Sequence, residues 1–189
     1  EQQTVSLLAM ALDAMGRKAI SFTGGQVRMM TDGIFSKAKI RSIDADLIRR
    51  ELDQGRVVII AGFQGVDDYG NVTTLGRGGS DTSAVALAAA LKAEECEIFT
   101  DVDGVYTTDP NVFKNAVMLK EISYDEMLEM ASLGAGVLHT RAVAVGKRYD
   151  VRIHVRNSAN DNPGTIITRE VPQMEGVVVS AATIQTDMA

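Results

Sequence analysis

Residues 57–62 read VVIIAG, an uninterrupted apolar run that is rich in β-branched side chains and ends in glycine. Such a run is typical of a strand that is buried on both faces within a parallel sheet. Shorter runs of strand type lie before and after it, and stretches with helical spacing of apolar residues separate them. This alternation predicts an α/β fold, in which helices flank a largely parallel sheet on both faces as a three-layer αβα sandwich.

Local signals place the ends of these elements. Gly16 closes the first apolar helix, Asp44 is a suitable N-cap for the second, and residues 67–71, DDYGN, predict a hairpin turn. The predicted helices span residues 4–15, 45–52, 83–91, 123–131 and 137–149. The predicted strands span residues 19–22, 39–43, 57–62, 97–100, 151–155, 164–168 and 176–180. The third helix is rich in alanine and apolar almost all round, so we expect it to be buried.

Composition limits the classes of protein that this chain can represent. Its 189 residues are 46% hydrophobic with a net charge of only -6, which excludes a disordered chain and allows one domain, or slightly more, with a real core. The 25 acidic residues outnumber the 19 basic ones, so a nucleic-acid-binding surface is not expected. No apolar run approaches the ~18 residues of a membrane-spanning helix. We therefore expect a soluble protein. The single cysteine, Cys96, cannot form an internal disulfide, so we expect a reducing compartment, the cytoplasm.

The strongest functional signal is a glycine-rich loop at residues 74–82, TLGRGGSDT, which opens directly into the third predicted helix. Its glycines allow a ligand to approach the backbone closely, and a helix N-terminus offers free N–H groups to an anion. Arg77 adds a planar fork of donors suited to a carboxylate or a phosphate. The alternative is a simple helix start capped by Ser80, but a cap alone does not require three glycines and an arginine. The loop therefore predicts an anion-binding site.

A second signal follows the strand predicted at residues 97–100. Residues 100–110 read TDVDGVYTTDP and carry three acids and a tyrosine. Ligands of parallel sheets bind at the carboxyl ends of the strands, so these groups are placed to hold the sugar, base or metal ion of a nucleotide. An ordinary turn is the alternative, since Asp-Gly and Asp-Pro are common turn signals.

The remaining reactive residue types have structural interpretations. His139 lies in a helical pattern and His154 in a strand, without the spacing of metal ligands, so we expect core or surface positions for both. Cys96 precedes an apolar run and is predicted to be buried. The nine methionines are interpreted as fillers of gaps in the core. The sequence predicts no metal site of the protein's own.

Together these motifs resemble those of the aspartokinases (aspartate kinases), a group within the amino acid kinase family. Residues 75–84, LGRGGSDTSA, are close to the hallmark of that group, and residues 100–110 resemble its nucleotide-binding segment. The supporting matches are residues 21–26 (SFTGGQ), 61–65 (AGFQG) and 133–139 (LGAGVLH). The similarity runs from Glu1 to about Thr168 and implies an amino acid kinase-like fold that is incomplete at its N-terminus.

The resemblance implies transfer of the γ-phosphoryl group of ATP, with Mg²⁺, to the side-chain carboxylate of L-aspartate. The product would be 4-phospho-L-aspartate, in the first step of lysine, methionine and threonine biosynthesis. By similarity, Arg77 and Asp81 are the catalytic residues, and Arg77 also clamps the α-carboxylate of the substrate. The implied substrate-binding residues are Glu1, Arg77, Gly78, Gly79 and Ser80, and the implied nucleotide-binding residues are Thr100, Asp101, Tyr106, Thr107, Thr108 and Asp109.

The chain also departs from the family pattern. Aspartokinases begin with a strand that carries Lys-Phe-Gly-Gly, and this sequence contains no such motif. Asn111 stands where many members carry arginine, Gly136 where lysine is frequent, and Val27-Arg28 where relatives often have Ala-Gly. We therefore expect little or no activity from these 189 residues alone.

The resemblance further implies how the chain is organised and what it packs against. Residues 1–170 are interpreted as the C-terminal two-thirds of the kinase domain, and residues 171–189 as a linker or the start of a regulatory ACT region. An incomplete sheet leaves an unpaired edge and an apolar face. We expect this surface to pack in a homo-oligomer or against a partner subunit that carries ACT domains. A different hypothesis is that the chain is a non-catalytic nucleotide-binding or assembly fragment of such a kinase.

Overall fold

The computed structural model describes residues 1–134, 136–170 and 181–182. The chain divides into two compact units, Glu1–Leu91 and Lys92–Ala189. The strand predicted at residues 176–180 and nearly all of the linker predicted at residues 171–189 lie outside the described residues. In the described part of the chain, no helix has the length and apolar character needed to cross a membrane.

The first unit, which is described without a gap, contains three helices and six strands. Its helices are α1 (Gln2–Ala14), α2 (Ala45–Asp53) and α3 (Gly79–Leu91). Its strands are β1 (Ala19–Phe22), β2 (Met30–Thr31), β3 (Ile40–Ser42), β4 (Val57–Ile60), β5 (Gln64–Val66) and β6 (Val72–Thr74). The parallel pair β1–β4 forms one sheet, and the order β3-β2-β5-β6 forms a second.

The parallel pairing of β1 with β4 sets the direction of the chain in this unit. Ala19 lies opposite Val57 and Phe22 opposite Ile60, so the carboxyl ends of both strands share one edge. The core is apolar, and its burial supplies most of the stability at about 25 cal/mol per Å². The buried side chains of this core are Phe22, Val27, Met29, Ala38, Ile48 and Leu75.

The helix α1 packs against β1 but leaves much apolar surface uncovered. None of its residues is buried, and Met10 is 68% exposed. Met15, directly after the helix, is 76% exposed. Met29 and Met127, by contrast, are fully buried. The prediction that methionines fill the core is therefore confirmed for Met29 and Met127 and wrong for Met10 and Met15.

The predicted hairpin turn is confirmed, since β5 and β6 pair antiparallel across it. Oδ1 of Asp67 accepts hydrogen bonds from the backbone N–H groups of Tyr69 at 2.9 Å and Asn71 at 2.8 Å. Oδ2 of Asp67 accepts a third bond from the side-chain amide of Asn71 at 2.9 Å. These bonds favour the ionised carboxylate and hold the pKa of Asp67 below its usual value, with the side-chain bond from Asn71 as the largest cause.

The second unit has one described sheet, in the order β7-β9-β10-β8, and two described helices. The strands are β7 (Cys96–Thr100), β8 (Glu121–Ser123), β9 (Ile153–Asn157) and β10 (Thr165–Thr168), and the helices are α4 (Tyr124–Ser132) and α5 (Thr140–Tyr149). A capping box opens α4: Ser123 Oγ accepts from the N–H of Glu126 at 3.2 Å, and Glu126 Oε2 accepts from the N–H of Ser123 at 3.0 Å. Cys96 is buried, as predicted.

The α/β fold with parallel strands is confirmed, and the sheets are mixed. Among the described strands, four pairings are parallel and three are antiparallel. The helix predicted from residue 137 begins at Thr140, because His139 serves as its N-cap and its Nδ1 accepts from the N–H of Arg141 at 3.3 Å. The strand β4, expected to be buried on both faces, is only half-buried, with Val57 44% exposed, and β1 is its sole partner among the described strands.

Candidate active site

Two glycine-containing turns follow the paired strands of the first unit. Residues 23–25 follow β1 and residues 62–63 follow β4, at the shared carboxyl edge. Gly24 has no room for a side chain, because an added Cβ would lie 2.3 Å from the carbonyl oxygen of Gln64. The edge therefore brings the two backbones into direct contact.

The glycine-rich loop joins β6 to α3 in the same unit. Gly76 and Gly78 adopt left-handed φ values of 75° and 67°, which glycine tolerates without strain. The helix begins at Gly79, where an added Cβ would lie 2.8 Å from the ring of Phe63. The helix predicted from residue 83 therefore begins four residues earlier, and Ser80 lies in its first turn and is not the N-cap that the alternative interpretation gave it.

The backbone N–H groups in the first turn of α3 differ in their partners. The N–H of Gly79 donates to the carbonyl of Gly76 at 2.9 Å, and the N–H of Thr82 donates to the carbonyl of Gly78 at 3.0 Å. Ser80 is exposed, and no described residue accepts a hydrogen bond from its backbone N–H. Together with the positive end of the helix dipole, this N–H favours a bound anion.

The segment between β2 and β3, residues 32–39, braces the chain that leads into this loop. The carbonyl oxygen of Phe35 accepts bonds from the N–H of Thr74 at 2.7 Å and from its hydroxyl at 2.8 Å. The backbone of Ser36 lies so close to Gly76 that a Cβ there would be 2.7 Å from the Ser36 carbonyl oxygen. The backbone immediately before the arginine of the loop is therefore held in place.

The substrate residues predicted from the sequence all lie in the first unit. Arg77 is exposed and forms no ion pair or hydrogen bond with a described residue, so its guanidinium is available to an anion. Asp81 is half-buried in the first turn of α3. Glu1 is exposed at the start of α1, and the next residue, Gln2, donates from Nε2 to Oε1 of Gln64 at 2.9 Å. The starts of α1 and α3 thus contact adjacent residues at the carboxyl edge of β4.

The predicted nucleotide segment leaves the carboxyl end of β7 in the second unit. Because β7 and β9 are parallel, with Thr100 opposite Asn157, both strands end at the same edge. The N–H of Ser158 donates to the carbonyl of Thr100 at 2.8 Å, and the hydroxyl of Thr100 donates to Oδ1 of Asp101 at 3.1 Å. The segment and the loop between β9 and β10 are therefore neighbours.

Further along, the segment folds back on itself. Thr107 exchanges two bonds with Val117, one between the Thr107 N–H and the Val117 carbonyl at 2.9 Å, the other between the Val117 N–H and the Thr107 hydroxyl at 3.1 Å. Oδ1 of Asp109 accepts from the N–H of Asn111 at 2.8 Å. These bonds hold residues 107–117 in a folded-back conformation.

A cavity of about 710 Å³ lies along the predicted nucleotide segment, within the usual size range of ligand pockets. Five of the six predicted nucleotide residues line it, namely Thr100, Asp101, Tyr106, Thr108 and Asp109. Thr107 is not among the lining residues. The end of α4 and the turn after it supply further lining residues, which are Met130, Gly134, Gly136 and Val137. The similarity at residues 133–139 was the only sequence signal for this part of the cavity.

Asp103, one of the three acids of residues 100–110, also lines the cavity, and its side chain is bonded to the protein. Its Oδ1 accepts bonds from the side-chain amides of Asn157 at 2.6 Å and Asn160 at 2.9 Å, and its Oδ2 accepts one from Asn162 at 2.9 Å. These bonds, with that from Asn160 as the largest cause, hold the pKa of Asp103 below its usual value. The partners are 54 to 59 residues away in sequence, so no local pattern reveals them.

Away from the cavity, Glu95, Glu97 and His154 each place one potential metal-ligating atom within 4.8 Å of the others. Both carboxylates already have cationic partners, since Arg152 lies 2.9 Å from Glu95 and Arg156 lies 2.8 Å from Glu97. This compensation makes the group an ion-pair cluster on the sheet. His154 is half-buried there, and its Nδ1 lies 3.0 Å from Oε1 of Glu95.

The two units offer different chemistry. The first unit presents an exposed guanidinium and a helix N-terminus, which suit a small carboxylate. The second presents a cavity of nucleotide size with the exposed carboxylates of Asp101 and Asp109 on its wall. Carboxylate oxygens suit Mg²⁺ that also binds phosphates, so these residues fit such an ion.

Comparison with known proteins agrees with this chemistry. The family model for the amino acid kinase family matches residues 1–157. An aspartate kinase of Stutzerimonas stutzeri (strain A1501) is 56% identical over 190 residues, which cover 100% of this chain and 46% of that protein. An aspartokinase of Bacillus sp. (strain MGA3) is 53% identical over 188 residues, with the same coverage of 100% and 46%. The solved structure of E. coli aspartokinase III in complex with aspartate and ADP matches with a TM-score of 0.80 at 36% identity, over 88% of this chain and 38% of that one.

The chain spans about half the length of the curated relatives that it matches. The family model covers most of its residues, and the predicted amino acid kinase-like fold is confirmed by the solved aspartokinase structures. The chain belongs to the amino acid kinase family.

Proposed function

We propose that the protein is an aspartate kinase, which transfers the γ-phosphoryl group of ATP to the side-chain carboxylate of L-aspartate and forms 4-phospho-L-aspartate. The observation that carries this proposal is the identity of 53–56% with aspartokinases along the whole chain. The E. coli structure in the comparison holds aspartate and ADP, a substrate and a product of this reaction. The reaction is the first step of lysine, methionine and threonine biosynthesis.

The acceptor needs little chemical activation. An aspartate side chain has a pKa near ~3.9, so it is ionised at neutral pH and requires no general base. Catalysis then depends on holding two anions in line and on stabilising the charge of the transferring phosphoryl group. Positively charged and N–H-donating groups are the parts that such a reaction requires.

The first unit supplies the groups for the amino acid. Arg77 binds the α-carboxylate of aspartate through its planar fork of donors, and the exposed carboxylate of Glu1 binds the amino group. Gly78, Gly79 and Ser80 line the acceptor site, where the free N–H of Ser80 stabilises negative charge. Asp81 sits at the reacting end of this loop as the second catalytic residue.

The second unit supplies the nucleotide site. ATP occupies the cavity at residues 100–109, where Thr100, Tyr106 and Thr108 contact the nucleoside and phosphates. The carboxylate oxygens of Asp101 and Asp109 would hold a Mg²⁺ ion, whose charge would neutralise that of the phosphates. We also propose that the protein works as a homo-oligomer or with a partner subunit that carries ACT domains.

The test is ADP release by the intact purified protein with Mg-ATP and either L-aspartate, L-glutamate or no acceptor. Hydroxylamine traps the acyl phosphate, which identifies the acceptor carboxylate. We expect turnover with aspartate only. Arg77→Ala should lower kcat/KM for aspartate by about 100-fold, since removal of one partner from a charge pair costs about 2–4 kcal/mol.

Arg17→Ala is the matched control, because Arg17 is also exposed and forms no ion pair with a described residue. It should leave kcat/KM within about twofold of the unmodified protein. Equal losses in the two variants would contradict the assignment of Arg77. ADP release that does not depend on aspartate would contradict the proposed activity.

A further inference from the structure

The loop between β9 and β10, together with the strand residues Asn157 and Thr165 that flank it, contacts the nucleotide segment at three points within the second unit. At the first point, the backbone N–H of Ser158 donates to the carbonyl of Thr100 at 2.8 Å. At the second, three asparagine side chains reach one carboxylate, that of Asp103. Just after the loop, the hydroxyl of Thr165 accepts from the N–H of Val105 at 2.8 Å. The segment is thus braced before, at and after the turn that lines the cavity.

The orientation of these amides follows from their other bonds. Oδ1 of Asn157 accepts from the N–H of Ala159 at 2.8 Å, and Oδ1 of Asn160 accepts from the N–H of Asn162 at 3.0 Å. Because each oxygen is occupied by a backbone donor, each amide nitrogen is directed to the carboxylate of Asp103. The turns of the loop and the carboxylate therefore form one network.

Asp103 differs from the other acids of the cavity wall in its burial and in its hydrogen bonds. Asp101 and Asp109 are exposed, whereas Asp103 is half-buried and both of its oxygens already accept hydrogen bonds. The turn that contains Asp103 is closely packed, since a Cβ on Gly104 would lie 2.5 Å from the hydroxyl oxygen of Thr165. The carboxylate of Asp103 is bonded to other residues of the protein. A small movement of the loop would therefore change the shape of the cavity wall.

We propose that Asp103 is a positioning residue, which holds the β9–β10 loop against the turn at residues 103–105 and so fixes one wall of the cavity. It acts through the loop and does not touch the nucleotide or its metal ion. The inference rests on the proposed function in one respect, because it takes the ligand of the cavity to be an adenine nucleotide.

The first test is nucleotide affinity after removal of the carboxylate. In the intact protein, Asp103→Ala should raise the Kd for Mg-ADP, measured by titration calorimetry without aspartate, by about tenfold. The KM for ATP should rise by a similar factor, while the KM for L-aspartate stays within about twofold. Asp161→Ala is the matched control, since Asp161 lies in the same loop, is exposed and has no hydrogen bond to a described residue. Asp161→Ala should leave the Kd for Mg-ADP and the KM for ATP unchanged.

A double-mutant cycle separates positioning from direct contact. Asn160→Ala with Asn162→Ala should reproduce most of the loss of Mg-ADP affinity. If Asp103 acts through these amides, adding the two changes to Asp103→Ala should lower the affinity no further. Additive losses would overturn the inference, since they would mean that the carboxylate contacts the nucleotide or its metal ion itself.

The outcomes for the inference and for the proposed function differ. Unchanged Mg-ADP affinity in Asp103→Ala overturns the inference and leaves the proposed kinase activity standing. A protein that binds no Mg-ADP even without substitution fails the proposed function, and the inference falls with it. If Asp103→Ala does not fold, Asn162→Ala takes its place, and unchanged affinity in that variant overturns the inference.

Discussion

Gly76 stands directly before Arg77 and combines two constraints that only glycine meets. Its φ is 75°, and the carbonyl oxygen of Ser36 occupies the space where a Cβ would lie. Gly16 has nearly the same φ, 74°, but nothing lies within 4 Å of the position of its Cβ. The two residues therefore share a backbone conformation and differ in their surroundings.

We predict that Gly16→Ala costs about 1 kcal/mol of unfolding free energy, from the left-handed conformation alone. Gly76→Ala should cost about 2–4 kcal/mol, because the braced segment at residues 32–39 must also move. Urea-induced unfolding followed by circular dichroism measures both values. Equal costs would show that the contact with Ser36 adds nothing to the stability.

At the level of single residues, the chemical roles of the site residues stay predictions, and the structure bears on their geometry. Arg77 is exposed as an anion-binding residue should be, because a glycine-rich turn before a helix leaves it uncovered. The helix after this loop was predicted from residue 83 and begins at Gly79, directly after the left-handed turn at Gly78. The hydrogen bonds of Asp103 could not be predicted, because they come from side chains 54 to 59 residues away in sequence.

Among the elements, helices with clear capping residues were predicted well. Asp44 caps α2 by accepting from the N–H of Asp46 at 3.1 Å, as its position before an apolar pattern indicated. The bounds of β2, β5, β6 and β8 were not predicted, although a hairpin turn was predicted between β5 and β6, because these segments of two or three residues show no period of their own. Such strands exist only because tertiary pairing provides their hydrogen bonds.

The capping box of α4 leads to a prediction for that helix. Ser123→Ala removes the hydroxyl that accepts the N–H of Glu126, and should lower the unfolding free energy by about 1 kcal/mol. Ser132→Ala, at the other end of the helix, removes only a bond donated to the carbonyl of Glu129 and should change the stability by less than about 0.5 kcal/mol. Thermal unfolding of both variants measures the difference, and a similar Tm for the two would contradict the role of the cap.

At the scale of the whole molecule, alternating strand and helix patterns predicted the α/β class, since buried parallel strands require helical crossovers. They did not predict the division into the units Glu1–Leu91 and Lys92–Ala189. The boundary falls between α3 and β7, within an ordinary helix-to-strand connection whose composition carries no linker signal. Each unit has its own sheet and its own loops at the carboxyl ends of strands.

The uncovered face of α1 makes this helix a chemical reporter. Met10 and Met15 present their thioethers to solvent, so dilute peroxide should convert both to sulfoxides while Met29 and Met127 stay reduced until the protein unfolds. Peptide mass spectrometry after a time course measures the four rates. Rapid oxidation of the first pair in the intact protein would show that this face is bare, and slow oxidation would show that another segment or subunit shields it.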